Sequence, residues 1–431
     1  MKKRYWNLMF LIVTAVLLSA CGKEDLGNSY VEGKDYQYML KAMDSFGQLQ
    51  AKGTNGLFFI QGNYIYYLPE SADMLIPLCN KVECMHTKEN NEKKYADCNA
   101  YVGDSMGSNL GISFYDGYLY FLKTELEEDG VQRLYRIKED GSEKEIVYEW
   151  DGWIVENWIL HRGEIFYVEH TFYENEKTLE TVENFCVKKI SLDEVGVKTP
   201  KLVYEASEGV SIQILTQLNA YGNYVYFYAA GGTGTAEQLL DENAWLNYFY
   251  SEQVAINILT GEKSVVTVPN ENSAVSVSSV TFWQDKLIYQ GYDHADEQGL
   301  QAKCNIYIAE LDGTNPKVIL EDVPQGMRVM ADENYLYLTN TALVIRGEEE
   351  KQIYQVYNTD LQLVDTMEIT YLRPYDGAIG DANGFYFFKG ISEDEINLVY
   401  FDKSTIGTYQ GAPFSYTKIA DWEYSNADLK E

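Results

Sequence analysis

The sequence predicts an all-β protein folded as a single β-propeller with seven blades of four antiparallel strands each, and three observations support this prediction. Tyrosine occurs 37 times in 431 residues and proline only 8 times, a composition that suits pleated, half-buried strands. A turn dipeptide followed by a short aromatic strand recurs at intervals of roughly 45 to 65 residues, the size of a propeller blade. Further strands follow several of these copies in a constant order.

Seven copies of this turn and strand organise the chain. They are Gly62-Asn63-Tyr64-Ile65-Tyr66-Tyr67, Asp116-Gly117-Tyr118-Leu119-Tyr120-Phe121, Arg162-Gly163-Glu164-Ile165-Phe166-Tyr167, Gly222-Asn223-Tyr224-Val225-Tyr226-Phe227, Gln284-Asp285-Lys286-Leu287-Ile288-Tyr289, Glu333-Asn334-Tyr335-Leu336-Tyr337-Leu338 and Asn383-Gly384-Phe385-Tyr386-Phe387-Phe388. Asp-Gly and Asn-Gly pairs favour hairpins because glycine accepts the positive φ of a tight turn. Since a sheet of four strands cannot bury both of its faces alone, we expect the sheets to stack side by side in a ring.

Two copies carry the pattern of a whole blade. The expected strands of the second copy are 112–114, 118–123, 133–137 and 145–148, and those of the fifth are 280–283, 286–290, 305–310 and 317–320. Eight blades are the alternative to seven, and a smaller propeller with a second domain is another. We expect the ring to close by pairing of an N-terminal strand with the last blade near residues 414–419.

The first twenty residues have the pattern of a signal peptide. Basic residues at positions 2–4 precede an apolar stretch over residues 6–18, and two small residues precede Cys21. This site resembles the processing site of bacterial lipoproteins, which implies cleavage before Cys21 and lipid on that cysteine. We therefore expect a chain anchored in the cell membrane through Cys21. It would face the extracellular side, or the periplasm in a cell with an outer membrane.

The same patterns divide the chain into segments. These are a lipoprotein signal peptide (1–20), a lipidated tether and lead-in (21–54), a propeller (55–420) with a Cys-rich insertion (77–101), and a C-terminal tail (421–431). After the signal peptide, no apolar run approaches the roughly 18 residues that a membrane helix needs.

The net charge excludes one class of partner. The chain has 66 acidic and 34 basic residues, for a formal net charge of -32. Such a surface repels phosphate backbones, so the sequence predicts no nucleic-acid partner. The membrane is expected as a partner through the lipid on Cys21, and the ligand is an unknown protein, peptide or glycan.

The repeat resembles that of TolB-like and YWTD-type β-propellers. In those proteins a strand of the form Asp-Gly-x-Ile-Tyr-Tyr precedes a Leu-Tyr-x-Ile strand and an Asp-Gly turn, and the matching residues here are Asp116 to Phe121, Leu134 to Ile137 and Asp140-Gly141. The resemblance covers residues 55–420. The chain lacks the Tyr-Trp-Thr-Asp tetrapeptide, the Gly-His…Trp-Asp signature and the sialidase-like Ser-x-Asp-x-Gly-x-Thr-Trp box. The resemblance therefore implies a propeller lipoprotein, with no activity attached.

A cysteine-rich segment is the most unusual local feature. Cys79, Cys84, His86 and Cys98 lie within twenty residues of one another. Three thiolates and an imidazole suit a closed, structural zinc site. Exported proteins also oxidise such cysteines, so a disulfide with one thiol left over is an equal alternative, and unbonded thiols are the third. The segment resembles an insertion of exported propeller lipoproteins, which implies a shared structural element.

No catalytic residue is predicted. The stretch from Gly103 to Gly107 matches the G-x-S-x-G pattern but lacks the strand before it and the helix after it that a nucleophile elbow needs. Three further histidines, His161, His170 and His294, are expected at the surface. Cys186 and Cys304 lie in apolar strand patterns and are expected in the core.

The sequence therefore predicts a non-catalytic binding or interaction module that uses a propeller face, with ligand-binding residues unknown. The alternatives are a propeller enzyme acting on carbohydrate or peptide, and a scaffold for envelope assembly. Two or more carboxylates, or a histidine with a carboxylate, converging in the central funnel would indicate the enzyme.

Overall fold

In a computed structural model of the protein, the described residues are 25–37, 50–61, 64–70, 72, 74–84, 86, 98–102, 111–125, 130–152, 155–174, 181–194, 197–207, 210–234, 238, 248–268, 277–294, 303–324, 326–340, 351–369, 374–380, 382–390 and 396–422. Cys21 and the G-x-S-x-G stretch lie outside the described residues.

Blades 1 to 4 contain the first sixteen strands. The strands are β1 (Gln50–Lys52), β2 (Gly56–Gln61), β3 (Tyr64–Pro69), β4 (Ile76–Pro77), β5 (Ile112–Tyr115), β6 (Tyr118–Glu125), β7 (Val131–Lys138), β8 (Glu145–Trp150), β9 (Val155–His161), β10 (Glu164–Glu174), β11 (Thr181–Ser191), β12 (Lys201–Glu205), β13 (Ser211–Tyr221), β14 (Tyr224–Gly232), β15 (Phe249–Asn257) and β16 (Lys263–Val266). Four consecutive strands form each sheet, and neighbours in the sheet are neighbours along the chain.

Blades 5 to 7 follow the same plan. Their strands are β17 (Val277–Trp283), β18 (Lys286–His294), β19 (Lys303–Ala309), β20 (Lys317–Pro324), β21 (Arg328–Ala331), β22 (Leu336–Thr339), β23 (Gln352–Tyr357), β24 (Leu363–Ile369), β25 (Pro374–Gly380), β26 (Gly384–Gly390), β27 (Ile396–Asp402) and β28 (Thr417–Trp422). A short 3-10 helix (Lys403–Thr405) follows β27. The predicted all-β propeller of seven four-stranded blades is confirmed.

The repeated dipeptides form tight turns between the first two strands of blades 2 to 7. Both residues have positive φ at Asp116-Gly117 (50° and 82°) and at Arg162-Gly163 (49° and 73°). Positive φ at both central positions defines the hairpin turn whose twist matches that of the flanking strands. The dipeptide in each copy therefore ends the innermost strand and begins the second strand.

Blade 1 departs from the predicted register. Its second strand is β2, which follows Asn55 directly, whereas residues Tyr64 to Tyr67 of the predicted copy lie in the third strand β3. The turn of this blade is centred on Thr54-Asn55, because the N–H of Gly53 donates to the carbonyl of Gly56 (2.9 Å), which is the first residue of β2. In this blade a pair of Asn and Gly precedes an aromatic strand twice, as Asn55-Gly56 and as Gly62-Asn63, and the period of the repeat selected the second pair.

The core consists of seven apolar layers, one between each pair of neighbouring blades, among the residues that the structure describes. Strand β6 illustrates why two-sided burial is needed. Leu119 and Phe121 pack toward blade 1, whereas Tyr120 and Leu122 pack toward blade 3. Because successive side chains of a strand point to opposite faces, a blade buries both faces only between two neighbours.

The ring closes differently from the prediction. All four strands of blade 7 are consecutive, and β28 pairs with β27 at its outer edge. Strand β1 contacts both β5 and β25, and Leu57 and Phe59 pack against Ile379 and Phe388 of the last blade. Closure therefore relies on side-chain packing between complete sheets, so the predicted strand exchange near residues 414–419 is wrong. Within the described ranges, no helix is long and apolar enough to cross a membrane.

Candidate functional site

Four potential metal ligands gather beside blade 1. The ligand atoms of Cys79, Cys84, His86 and Cys98 all lie within 4.8 Å of one another. The three cysteines are free thiols in this structure. A tetrahedral zinc ion with Zn–S distances of about 2.3 Å places neighbouring ligand atoms about 3.8 Å apart, so the donor set fits zinc after a small contraction.

Backbone pairing with β3 brings the ligands together. The N–H of Leu78 donates to the carbonyl of Ile65 (2.9 Å), and the N–H of Ile65 donates to the carbonyl of Ala100 (2.8 Å). The Asn99 amide donates to the carbonyl of Gly141 (2.6 Å), in the last hairpin of blade 2. Strand β4 has only two residues. The cysteine segment therefore completes the outer part of blade 1 and fastens it to blade 2.

Hydrogen bonds favour one thiolate in the cluster. Burial alone would raise the pKa of Cys79, but the backbone N–H groups of Lys81 and Asn99 and the side chain of His86 lower that pKa to about 6. Burial raises the pKa of Cys98 to about 12, helped by the neighbouring thiols. Thiolate is the form that binds metals, and N–H donors that point at sulfur stabilise that form.

A second group of functional candidates lies at one end of the central funnel, where the turns between first and second strands gather. We call this end the turn face, defined by Thr54-Asn55, Asp116-Gly117, Arg162-Gly163, Gly222-Asn223, Gln284-Asp285, Glu333-Asn334 and Asn383-Gly384. Residues 25–37, which we call the strap, lie across it. The strap contacts the turns of blades 2 to 5 through backbone and side-chain hydrogen bonds.

Arg162 fastens the strap to the ring. Its Nε donates to Asp35 Oδ1 (2.7 Å) and its NH2 group to Asp35 Oδ2 (3.1 Å), so the ion pair is bidentate. The remaining N–H groups donate to the carbonyls of Gly27 and Ser29 and to Asn223 Oδ1. All five guanidinium donors are therefore used. The side chains of Arg162 and Asp35 are 6% and 0% exposed.

His161 also attaches the strap to the ring. It was expected at the surface, and that prediction is wrong. The residue is fully buried. The N–H of Tyr36 donates to His161 Nδ1 (3.0 Å), and Nε2 donates to the carbonyl of Gly222 (2.8 Å). These two bonds require a neutral imidazole with its proton on Nε2. The histidine thus joins the strap, blade 3 and blade 4.

A cavity of about 610 Å³ opens between the strap and blades 1, 4, 5, 6 and 7. Its aromatic lining residues are Tyr30, Tyr221, Phe282, Trp283 and Phe385. Trp283 is 3% exposed, and its Nε1 has no hydrogen-bond partner in the described part of the chain. The volume falls within the range of small-molecule sites, which combine apolar walls with a few polar groups.

The polar lining of the cavity is mainly acidic. Its carboxylates are Glu32, Asp285, Asp332 and Glu333, against the ammonium groups of Lys52 and Lys403. Asp332 and Lys403 form a buried ion pair (2.8 Å), whereas Glu32 and Glu333 are exposed. Burial raises the pKa of Tyr30, and the nearby charges of Glu32, Asp35 and Glu333 raise it further. An amino-bearing or polyhydroxylated ligand suits such a lining better than an anion does.

The remaining sequence candidates occupy other places. His170, expected at the surface without a partner, lies 3.1 Å from Glu156 through Nδ1 and stacks on Phe185 with a centroid distance of 4.0 Å. Cys186 and Cys304 are buried, as predicted. The side chain of His294 lies outside the described residues.

Sequence reasoning missed the strap and the cavity. One signal was present, because Arg162 is the only cation among the seven predicted turn dipeptides. The acidic residues Asp285 and Glu333 also occupy turn positions of the repeat, and these positions converge in a ring. The repeat therefore contained two acidic residues of the cavity lining, although nothing in the sequence placed the strap over them.

Comparison with known proteins supports the fold and does not assign a family. No family model matches the sequence, and no curated protein matches it. Among solved structures, a tricorn protease is similar with a TM-score of 0.50 and 10% identity over 91% of this chain, which spans 36% of that protein. A puromycin hydrolase is similar over 93% of this chain and 57% of its own, with a TM-score of 0.47 and 8% identity. A nidogen/laminin complex is similar over 73% of this chain and 93% of its own, with a TM-score of 0.35 and 12% identity.

These similarities overturn one prediction. The sequence predicted that the chain is not an enzyme, partly because a propeller offers a rigid docking face. The similar structures include a tricorn protease with a TM-score of 0.50. The predicted absence of catalysis is therefore wrong as an inference from this architecture. At about 10% identity the similarity establishes the fold alone, and neither substrate nor mechanism transfers with it.

Proposed function

We propose that this chain is an exported, lipid-anchored propeller that binds a saccharide with free amino groups in the cavity on its turn face. The observation that carries the proposal is the cavity itself, where five aromatic side chains and four carboxylates surround about 610 Å³. Aromatic rings stack on the apolar faces of sugar rings, and carboxylates accept hydrogen bonds from hydroxyl and ammonium groups.

The carboxylate of Asp285 supports a polar ligand. It lines the cavity and accepts hydrogen bonds from Tyr221 (2.7 Å) and from Ser29 of the strap (2.9 Å). These two bonds hold an acceptor for hydroxyl or ammonium groups in place on the cavity wall.

The test is a calorimetric titration of the purified chain with a glucosamine disaccharide, repeated with its N-acetylated form. We expect saturable binding of the amino form, weaker binding of the neutral form, and about tenfold weaker binding by Glu333→Gln, in keeping with loss of one charged contact. Glu149→Gln is the matched control, because Glu149 pairs with Arg133 in blade 2, outside the cavity. Absence of binding to either sugar, or equal binding by Glu333→Gln, would contradict the proposal.

The cysteine cluster supports a second assignment, a structural zinc ion held by Cys79, Cys84, His86 and Cys98. Four protein ligands leave no open position for water, so the ion would stabilise the loop beside blade 1. The purified chain should contain one zinc per molecule, and Cys79→Ala should lose it. Cys304→Ala, which removes a buried thiol of blade 5, should retain it. A metal-free chain with an intramolecular disulfide among these cysteines would refute the assignment.

Two observations favour a second candidate function, hydrolysis of carbohydrate or peptide. Four carboxylates converge in the cavity at one end of the central funnel, which is the arrangement expected of a propeller enzyme. The His170–Glu156 pair orients an imidazole against a carboxylate, an arrangement that general bases use. If this pair is catalytic, His170→Ala should abolish the release of sugar or peptide fragments while binding at the turn face persists. An unchanged rate would remove this candidate.

A further inference from the structure

We propose that the turn face lies against the membrane, so that the cavity opens toward the lipid headgroups. The inference rests on the proposed lipid at Cys21 and adds an orientation and a partner surface to it. The partner is the bilayer surface itself.

The start of the strap is fixed on the turn face. Asn223 donates a hydrogen bond from its side-chain amide to Asp25 Oδ1 (3.0 Å), and the N–H of Gly27 donates to the same oxygen (2.9 Å). The hydrogen bonds of Arg162 to Gly27 and Ser29 hold the next turn of chain. Asp25 therefore stays at the rim of this face.

The covalent distance to the lipid is short. Only four peptide steps separate Cys21 from Asp25, and a fully extended chain spans at most about 3.6 Å per residue, or about 14 Å in total. Strands of blade 3 such as β10 contain 11 residues, which separates the two ends of the propeller by about 35 Å at about 3.3 Å per residue. Whatever its path, the chain before Asp25 cannot place the lipid at the opposite end.

The strap fixes the orientation of the propeller relative to the membrane, because it joins this short link rigidly to the ring. A flexible linker would let the propeller rotate freely, but residues 25–37 are attached to blades 2, 3, 4 and 5 by hydrogen bonds. The buried Arg162–Asp35 pair resists detachment, because its separation would leave an uncompensated buried charge. The exposed groups on this face include Asp25, Glu32 and Glu333. We therefore expect contact with neutral headgroups rather than anionic ones.

Orientation limits what can reach the cavity. Ligands must enter between the turn face and the bilayer, which favours sugars of headgroups or of polymers lying on the membrane over large soluble proteins. The opposite end, with the connections between blades, faces away from the membrane and stays open to soluble partners.

The test uses the full lipidated chain on phosphatidylcholine vesicles that contain a headgroup-linked energy-transfer acceptor. A fluorophore is attached through an unnatural amino acid at Glu333 on the turn face or, as the matched position, at Ser207 in the connection between β12 and β13. Both residues are exposed. We expect transfer from Glu333 to be several-fold stronger than transfer from Ser207. Cys21→Ser should abolish transfer at both positions.

Two failures are distinguishable. Equal transfer from the two positions, or stronger transfer from Ser207, overturns the orientation while leaving the lipid anchor in place. Lack of vesicle binding by the chain with Cys21 intact overturns the anchor, and the orientation falls with it.

Discussion

Arg162 is the residue that joins the strap to the ring, and it does so from a position where the other predicted repeats carry acidic, amide or glycine side chains. Its guanidinium donates five hydrogen bonds to the strap and to blade 4 while only 6% exposed. A planar, permanently charged guanidinium can donate to five acceptors at once, whereas a lysine ammonium has only three N–H donors. The departure from the repeat pattern thus has a structural reason.

The Arg162–Asp35 pair leads to a prediction about stability. Asp35→Ala leaves a buried guanidinium without its partner and should lower the free energy of unfolding by about 3 to 5 kcal/mol. The exposed Lys34–Asp116 pair, with side chains 41% and 70% exposed, supplies the control. Asp116→Asn, which removes the charge and keeps a side chain that tolerates the positive φ of this turn, should change stability by less than about 1 kcal/mol. Denaturant unfolding at neutral pH measures both, and similar losses in the two variants would contradict the role given to the buried pair.

The roles of single residues were harder to predict from the sequence than the strands or the number of blades. The sequence grouped Cys79, Cys84, His86 and Cys98 because short spacing along the chain brings thiols and imidazole together whatever the fold. His161 was misplaced because its partners, Tyr36 and Gly222, are distant in sequence and meet it only when the strap crosses the ring. Contacts of this kind leave no local pattern to find.

At the level of elements, one carboxylate of blade 6 attaches a loop of blade 7. Asp365 in β24 accepts hydrogen bonds from four backbone N–H groups, those of Thr366, Gly407, Tyr409 and Gln410, at 2.7 to 3.2 Å. Although burial opposes its ionisation, these donors hold the pKa of Asp365 below its usual value. The loop after the 3-10 helix is therefore fixed by an ionised side chain.

This arrangement predicts a pH-dependent contribution. Because the folded-state pKa of Asp365 is lowered, its stabilisation is present above the ordinary aspartate pKa of about 4 and is lost as the pH falls through the folded-state pKa. Asp365→Asn should therefore cost about 1.5 to 3 kcal/mol at pH 7, and the difference from the parent should shrink below about pH 4. Asp360→Asn, in the exposed hairpin of the same blade, should be neutral throughout. A difference in unfolding free energy between Asp365→Asn and the parent that does not change with pH would contradict this role of Asp365.

Strand prediction succeeded where both faces of a strand are buried. The expected strands of the second and fifth copies coincide with β5 to β8 and β17 to β20 within a few residues. Their alternation is strong because each side chain packs into one of two inter-blade layers. Blade 1 misled the prediction because β2 and β3 are both aromatic and an Asn and a Gly stand next to the start of each in the sequence, so the period alone could not decide between them.

At the level of the whole molecule, the number of blades was predictable and the mode of closure was not. Blade number follows from a repeat that the sequence displays directly. Closure depends on how β1 and β25 meet across the full length of the chain, and here packing of Leu57 and Phe59 on blade 7 replaces an exchanged strand. The strap then covers one end of the finished ring, which gives this propeller two unlike faces.

Hydrogen exchange with and without the glucosamine disaccharide is a direct test of a ligand site on the turn face. We expect slower exchange of backbone N–H groups in residues 29–37 of the strap and in the turns at 284–285 and 333–334. Exchange around residues 206–207 and 233–234, at the opposite end, should be unchanged. Slower exchange confined to the opposite end, or no slower exchange at saturating sugar, would contradict a ligand site on the turn face.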